Sequence, residues 1–147
     1  MSNLKKLIAA SRLDKPDTLA LLSHLIHTHL RWPKSSLFSK DDVDLSEAIV
    51  SQWYAFENRR LAGEPIAYIL GKKEFFNIEL MVSPDVLIPR PETELLVELG
   101  LNYLKPFGQP KILDLGTGSG AIALALGHNL PKSKVVAIDI SSRSEEH

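Results

Sequence analysis

The chain has 147 residues, enough for one ordinary domain or two small ones. Its formal net charge of −1 gives no electrostatic reason to expect a nucleic acid or an anionic membrane as a partner. The lack of cysteine excludes disulfides and thiolate chemistry, and no segment approaches the ~20 apolar residues of a membrane span. This composition is typical of a globular protein, and the lack of cysteine leads us to expect a cytoplasmic location.

Residues 1–63 are predicted to form a helical bundle as the first domain. Apolar residues recur at helical spacing in two stripes, which comprise Leu4, Leu7 and Ile8 and then Leu19, Leu22, Ile26 and Leu30. A third helix is predicted over residues 45–62, with Asp44 as its N-cap. Gly63 ends this helix and Pro65 prevents its resumption. Three helices of this size can close a small core.

Residues 64–90 are predicted to form a hairpin that connects two parts of the chain. The stretch "EFFNIELMV" has the composition of two short strands that turn near Asn77, and "DVLIP" indicates a further extended piece. The segment lacks the glycine-serine or charged composition of a flexible linker. We therefore expect a structured connection.

Residues 91–147 are predicted to begin a Rossmann-like domain. A helix should carry Leu95, Leu96, Leu99 and Tyr103 on one face, with Pro91 in its first turn. A strand over residues 112–115, a helix over 119–129 and a strand over 135–138 then form one βαβ unit. The predicted fold class is α/β, with an N-terminal helical bundle, a β-hairpin connection and the first part of a Rossmann-like domain.

The turn of this βαβ unit is rich in glycine, with Gly116, Gly118 and Gly120 at alternate positions. Such a turn exposes backbone N–H groups and lets a ligand approach closely. Asp139 follows the second strand 19 residues after Gly120, near the ~20-residue spacing of an acid that binds ribose hydroxyls. The pattern therefore predicts a ligand with a ribose. No lysine follows the glycines, which argues against a nucleoside triphosphate.

A dinucleotide and S-adenosylmethionine both contain a ribose. The sequence "GTGSGA" satisfies the dinucleotide pattern, but Asp114 precedes the turn and would repel a pyrophosphate. The same acid suits the positive amino group of S-adenosylmethionine, which has no phosphate. A glycine turn without a ligand is the remaining interpretation.

Three stretches, "VLIPRPETELLVE", "ILDLGTGSGAIALAL" and "VVAIDIS", closely resemble the release-factor glutamine methyltransferase (HemK-like) family. "GEPIAYILGKKEFF" is similar to the entry into that family's class I methyltransferase domain, and the helical N-terminus resembles its small substrate-recruiting domain. The resemblance implies S-adenosylmethionine-dependent methylation of a glutamine side-chain amide in peptide-chain release factors. It implies a release factor as the partner, with no direct nucleic acid and no membrane; we expect a monomer.

The resemblance also implies roles for particular residues. The turn residues Gly116, Thr117, Gly118, Ser119 and Gly120 would surround the methionine part of the cofactor, and Asp139 would accept hydrogen bonds from its ribose. The segment "RPETE" would pack over the cofactor pocket, with Thr93 and Glu94 facing it. Alternatively, residues 90–94 are simply a well-formed helix start.

The family's catalytic Asn-Pro-Pro-Tyr motif has no counterpart here, because the sequence contains no Asn-Pro. No catalytic residue is assigned, and the 147 residues are expected to be an incomplete, inactive portion of an enzyme. The stretch "SSRSEEH" at residues 141–147 also lacks the apolar pattern of a following helix. Alternative functions are an adenine-specific DNA amino-methyltransferase, a dinucleotide-dependent oxidoreductase, or a non-enzymatic helical binding module.

A metal site is not predicted. His24, His27 and His29 lie close together in the sequence, but they lack a further ligand at a defined spacing. They are interpreted as solvated helix residues.

Overall fold

The computed structural model describes residues 2–142. The chain forms two compact units, with the boundary between Leu70 and Gly71. The elements of the first unit are α1 (Leu4–Ala10), α2 (Lys15–Leu30), α3 (Ser36–Ser39), α4 (Glu47–Leu61) and α5 (Ile66–Leu70). Those of the second unit are β1 (Lys72–Phe75), β2 (Ile78–Met81), α6 (Thr93–Leu104), β3 (Lys111–Leu115), α7 (Ala121–Asn129) and β4 (Lys134–Ile138).

The three longest helices of the first unit begin at polar residues that cap them. The side chains of Asn3, Asp14 and Ser46 each accept a hydrogen bond from the backbone N–H three residues later. The prediction of Asp44 as the N-cap of α4 was wrong, because the Ser46 hydroxyl lies closer to the helix start and can make the same bond. Asp44 instead forms an antiparallel bridge with Asn3.

The first unit is built around an apolar core between α1, α2 and α4. The buried residues of this core are Leu4, Leu7, Leu21, Leu22, Leu25, Ile26, Leu37, Leu45, Ile49, Trp53 and Ile69. Glu57 is also buried, and its carboxylate accepts hydrogen bonds from the backbone N–H and the guanidinium of Arg12. This pair ties the loop after α1 to the C-terminal half of α4.

Helix α5 differs from the sequence prediction, which began the hairpin connection at residue 64. Pro65 does not keep the chain extended: its carbonyl accepts hydrogen bonds from the N–H groups of Tyr68 and Ile69. The fixed φ of proline and its missing N–H suit the first turn of a helix as well as they end a preceding one. Ile69 is consequently buried in the core of the bundle.

The hairpin itself was predicted in the right place. Strands β1 and β2 are antiparallel, and the pairing of Phe75 with Ile78 leaves a two-residue turn at Phe76 and Asn77. Phe75 and Leu80 are buried in the second unit. Residues 85–89, expected to be an extended piece, belong to no strand.

The second unit contains the predicted βαβ arrangement. Strands β3 and β4 pair in parallel with Leu115 opposite Ile138, and α7 connects them and contacts both. Helix α6 packs on α7, where Gly100 lets the Leu126 side chain approach closely. The α/β fold class, with helices followed by a hairpin and a parallel strand pair, is thus confirmed.

The apolar face predicted for α6 is not the buried one. Val97 and Leu101 are buried, whereas the predicted set, Leu95, Leu96, Leu99 and Tyr103, is more than half exposed. The helix is apolar on two sides, and α7 covers only one of them. The sheet shows the same asymmetry: on one face the alternating side chains of Leu113, Leu115, Val136 and Ile138 remain exposed.

Candidate cofactor-binding site

The loop between β3 and α7 has the backbone conformation that its glycines permit. Gly116, Gly118 and Gly120 have φ values of 69°, 57° and 78°, in the left-handed region that disfavours other residues. A Cβ atom built on Gly116 or Gly118 would meet no heavy atom within 4 Å. The glycines are therefore required by the backbone turn, and the space beside them is open to a ligand.

The N–H groups of this glycine loop are largely bonded within the protein. Those of Gly116 and Thr117 both donate to the carbonyl of Ile138, at 2.8 and 3.0 Å. The Gly118 N–H donates to Asp139 Oδ2 at 2.9 Å. A loop that binds a pyrophosphate presents such N–H groups to the phosphate oxygens. Here they join the loop to the end of β4 instead.

Asp139 lies directly after β4 and is fixed by backbone donors. Its Oδ1 accepts a hydrogen bond from the Ser141 N–H at 2.9 Å, while Oδ2 accepts that of Gly118. The hydrogen bond from Ser141 and then that from Gly118 lower the pKa of the carboxyl group. An ionised carboxylate has about four acceptor sites, so two bonded N–H groups leave capacity for the two hydroxyls of a ribose.

A second acid is also attached to the glycine loop. The Thr117 hydroxyl donates to Asp114 Oδ2 at 2.9 Å, at the end of β3. Asp114 is paired with Ala137 of β4, so both acids belong to the carboxyl end of the strand pair. Two carboxylates at this edge disfavour a phosphate and favour a ligand with a positive group.

The glycine loop borders a cavity of about 240 Å³ within the second unit. One wall consists of the residues before and at the start of α6, namely Leu87, Ile88, Pro89, Arg90 and Thr93. The opposite wall consists of Gly116, Thr117, Gly118, Ser119, Ala121 and Ile122. Asp139 lines a separate open recess with Leu115, Gly116, Ile138 and Ile140. Gly116 lines both the cavity and the recess.

The predicted site residues are thus only partly brought together. Thr93 lies in one cavity with Gly116, Thr117, Gly118 and Ser119, and Asp139 is joined to them through Gly118. Gly120 is the N-cap of α7 and does not line that cavity. The Glu94 carboxylate accepts a hydrogen bond from the Phe76 N–H in the hairpin turn.

Sequence reasoning from the glycine pattern missed the wall formed by Leu87, Ile88 and Pro89. Its detectable signal was the spacing of Pro89 and Pro91 around Arg90, since each proline holds the residue before it in an extended conformation. The bond between Glu94 and Phe76 had no local signal, because the two residues are 18 positions apart.

The histidines have ordinary neighbours. The His29 ring bonds the Gln52 side chain, His27 approaches the Trp32 carbonyl, and the His24 ring lies near that of Phe56. Across residues 2–142, no three His, Cys, Asp or Glu side chains come close enough to form a metal site. Within the same range, every helix is too short or too polar to cross a membrane.

Comparison with known proteins finds similarity to one protein family. Residues 3–71 match the family model described as the PrmC N-terminal domain. The chain is 45% identical to a release factor glutamine methyltransferase of Burkholderia pseudomallei, over 92% of this chain and 46% of that protein. Proteins of the same name from Bordetella pertussis and Coxiella burnetii are 42% and 47% identical, over 97% and 80% of this chain. The chain spans about half the length of the curated relatives it matches.

Proposed function

Because the chain belongs to the release factor glutamine methyltransferase family, we propose that its second unit binds S-adenosylmethionine. Gly116, Thr117, Gly118 and Ser119 would contact the methionine part of the cofactor. Asp139 would accept hydrogen bonds from the ribose hydroxyls, and Thr93 would contribute from the opposite wall of the cavity. The cofactor supplies an activated methyl group when bound.

The observation that carries this proposal is the arrangement of acids and N–H groups at the glycine loop. The N–H groups of Gly116, Thr117 and Gly118 are already bonded to the residues that end β4. The carboxylates of Asp114 and Asp139 are joined to the same loop. This environment suits a ribose and a cationic amino group better than it suits a pyrophosphate.

For the whole protein we propose the activity that its relatives' names print, which is glutamine methylation of a release factor. The helical first unit would help to recruit that substrate, and such a substrate would place the protein in the cytoplasm. The 147 residues contain no Asn-Pro and hence no match to the family's catalytic motif. We therefore assign cofactor binding, and no catalytic residue, to this part of the chain.

The experiment that tests the proposal is calorimetric titration of the chain with S-adenosylmethionine and, separately, with nicotinamide adenine dinucleotide. Saturable binding of S-adenosylmethionine with no heat from the dinucleotide is expected. Binding of the dinucleotide alone would favour the oxidoreductase interpretation. The absence of binding by either compound would contradict the proposal.

A further inference from the structure

The turn of the β1–β2 hairpin is strained. Phe76 and Asn77 have φ values of 45° and 64°, and both are residues with side chains. Asparagine tolerates this left-handed conformation, whereas a bulky aromatic residue rarely adopts it. Strain of this kind persists only where the surrounding structure supports it, and it is often found near functional sites.

The side chain of Glu94, which belongs to α6, supports this turn. Glu94 Oε1 accepts a hydrogen bond from the Phe76 N–H at 3.0 Å. The pairing of Phe75 with Ile78 leaves Phe76 as the first of the two turn residues. In such a turn, the N–H of the first turn residue points away from the strand ladder and needs an acceptor from elsewhere. The Glu94 carboxylate provides it.

Glu94 lies in the first turn of α6, directly after the cavity residue Thr93. The cavity wall opposite the glycine loop consists of the extended segment that leads into this turn. Fixing Glu94 to Phe76 therefore also fixes the end of that wall. Phe75 and Leu80 are buried in the second unit, so the strands on either side of the turn are held by packing.

We propose that Glu94 is a positioning residue for the cofactor cavity: by bonding the Phe76 N–H it holds the wall formed by residues 87–90 and Thr93 beside the glycine loop. This differs from a direct contact between Glu94 and the cofactor. The inference rests on the proposed cofactor function for its affinity effect, but its structural part is measurable without any ligand.

The test compares Glu94→Ala and Glu94→Gln with Glu92→Ala as the matched control. Glu92 is a carboxylate at the start of the same helix and makes no side-chain capping bond there. Glu92→Ala therefore reproduces the loss of a negative charge near the helix N-terminus. Glu94→Gln keeps an oxygen that can accept the Phe76 N–H, so it separates the hydrogen bond from the charge.

Without ligand, we expect Glu94→Ala to accelerate hydrogen exchange of the Phe76 amide and to shift the amide resonances of Ile88 and Arg90. Glu94→Gln and Glu92→Ala should leave these signals near those of the unmodified chain. Unchanged exchange at Phe76 and unchanged wall resonances in Glu94→Ala would overturn the proposal.

With S-adenosylhomocysteine as the titrant, Glu94→Ala should weaken binding by up to about tenfold, because the wall must then be ordered when the ligand binds. Glu94→Gln should restore most of the affinity. Equal loss in both Glu94 variants would indicate a direct charge interaction with the ligand and would contradict a positioning role. If the unmodified chain does not bind the compound, the cofactor proposal fails, while the amide signals still decide whether Glu94 holds the wall.

Discussion

The Gly118 backbone N–H donates to the Asp139 carboxylate at 2.9 Å, and this bond joins the middle of the glycine loop to the end of β4. Asp139 is therefore part of the loop's own structure as well as a candidate ligand for ribose. Its other oxygen is held by the Ser141 N–H. A change at this residue should affect both the shape of the loop and its interaction with a cofactor.

Replacing Asp139 by alanine should weaken binding of S-adenosylmethionine by roughly ten- to a hundredfold, because charge-assisted bonds to the ribose are lost. Calorimetric titration of the unmodified and variant chains measures this effect. Neither chain should acquire affinity for a nicotinamide dinucleotide, since Asp114 remains at the end of β3. An unaltered dissociation constant in the alanine variant would show that Asp139 does not contact the cofactor.

The carboxyl group of Asp139 should titrate below its ordinary pKa of 3.8, because backbone N–H groups stabilise its ionised form. A carboxyl group whose pKa is lower in the folded state than in the unfolded state stabilises the fold at pH values above its unfolded pKa. This stabilisation is lost as the pH falls through the folded pKa. The loop should thus be unchanged between about pH 5 and pH 8.

The Gly118 amide resonance reports this titration. Its chemical shift should change with a midpoint below 3.8. The Asp139→Asn variant serves as the control, in which this step should disappear. A midpoint above 3.8 would mean that the two N–H donors do not hold the carboxylate in solution.

Gly118→Val should destabilise the second unit and abolish cofactor binding. A side chain at a φ of 57° is strained even though the space beside Gly118 is empty, at a cost of about 1–2 kcal/mol. The branched side chain would also occupy the space left for the ligand. Gly108→Ala is a suitable control, because Gly108 has no left-handed backbone and a Cβ there meets no atom within 4 Å. Equal effects of the two substitutions on urea unfolding would contradict this account.

Glu57→Ala should lower the free energy of unfolding of the first unit by about 2 kcal/mol, since a buried carboxylate loses its bonds to Arg12. Both tryptophans, Trp32 and Trp53, belong to this unit, so their fluorescence follows its unfolding in urea. The control is Glu64→Ala, which removes an exposed pair with Arg59 and should change the midpoint little. A similar small change in Glu57→Ala would show that its bonds contribute no net stability.

The sequence was sufficient to predict elements whose determinants are local. The two-residue turn, the alternating glycines and the apolar spacing of the helices each depend on neighbouring residues, and the structure has these elements in the predicted places. The cap of α4 was wrong by two positions, because Asp44 and Ser46 are equally good N-caps and only the path of the chain selects one.

The other differences concern which face of a helix is buried and which residue a side chain bonds. Helix α6 has apolar residues on two sides, and periodicity alone cannot tell which side a neighbouring helix will cover. The role of Glu94 was equally inaccessible, because the Phe76 N–H becomes an unbonded donor only once the hairpin turn has formed. Both depend on tertiary contacts between residues distant in sequence.

Hydrogen exchange should be slower in α2 and α4 than in β3. The two helices close a core in which Leu22, Ile26 and Trp53 are at most 1% exposed. Strand β3 pairs only with β4 among residues 2–142, and on one face of this pair Leu113 and Leu115 are at least 60% exposed. Two strands with one open apolar face gain little free energy from burial, so their hydrogen bonds should open more often. Equal protection would mean that a second copy or another chain covers this face, and the exchange rate of β3 should then depend on protein concentration.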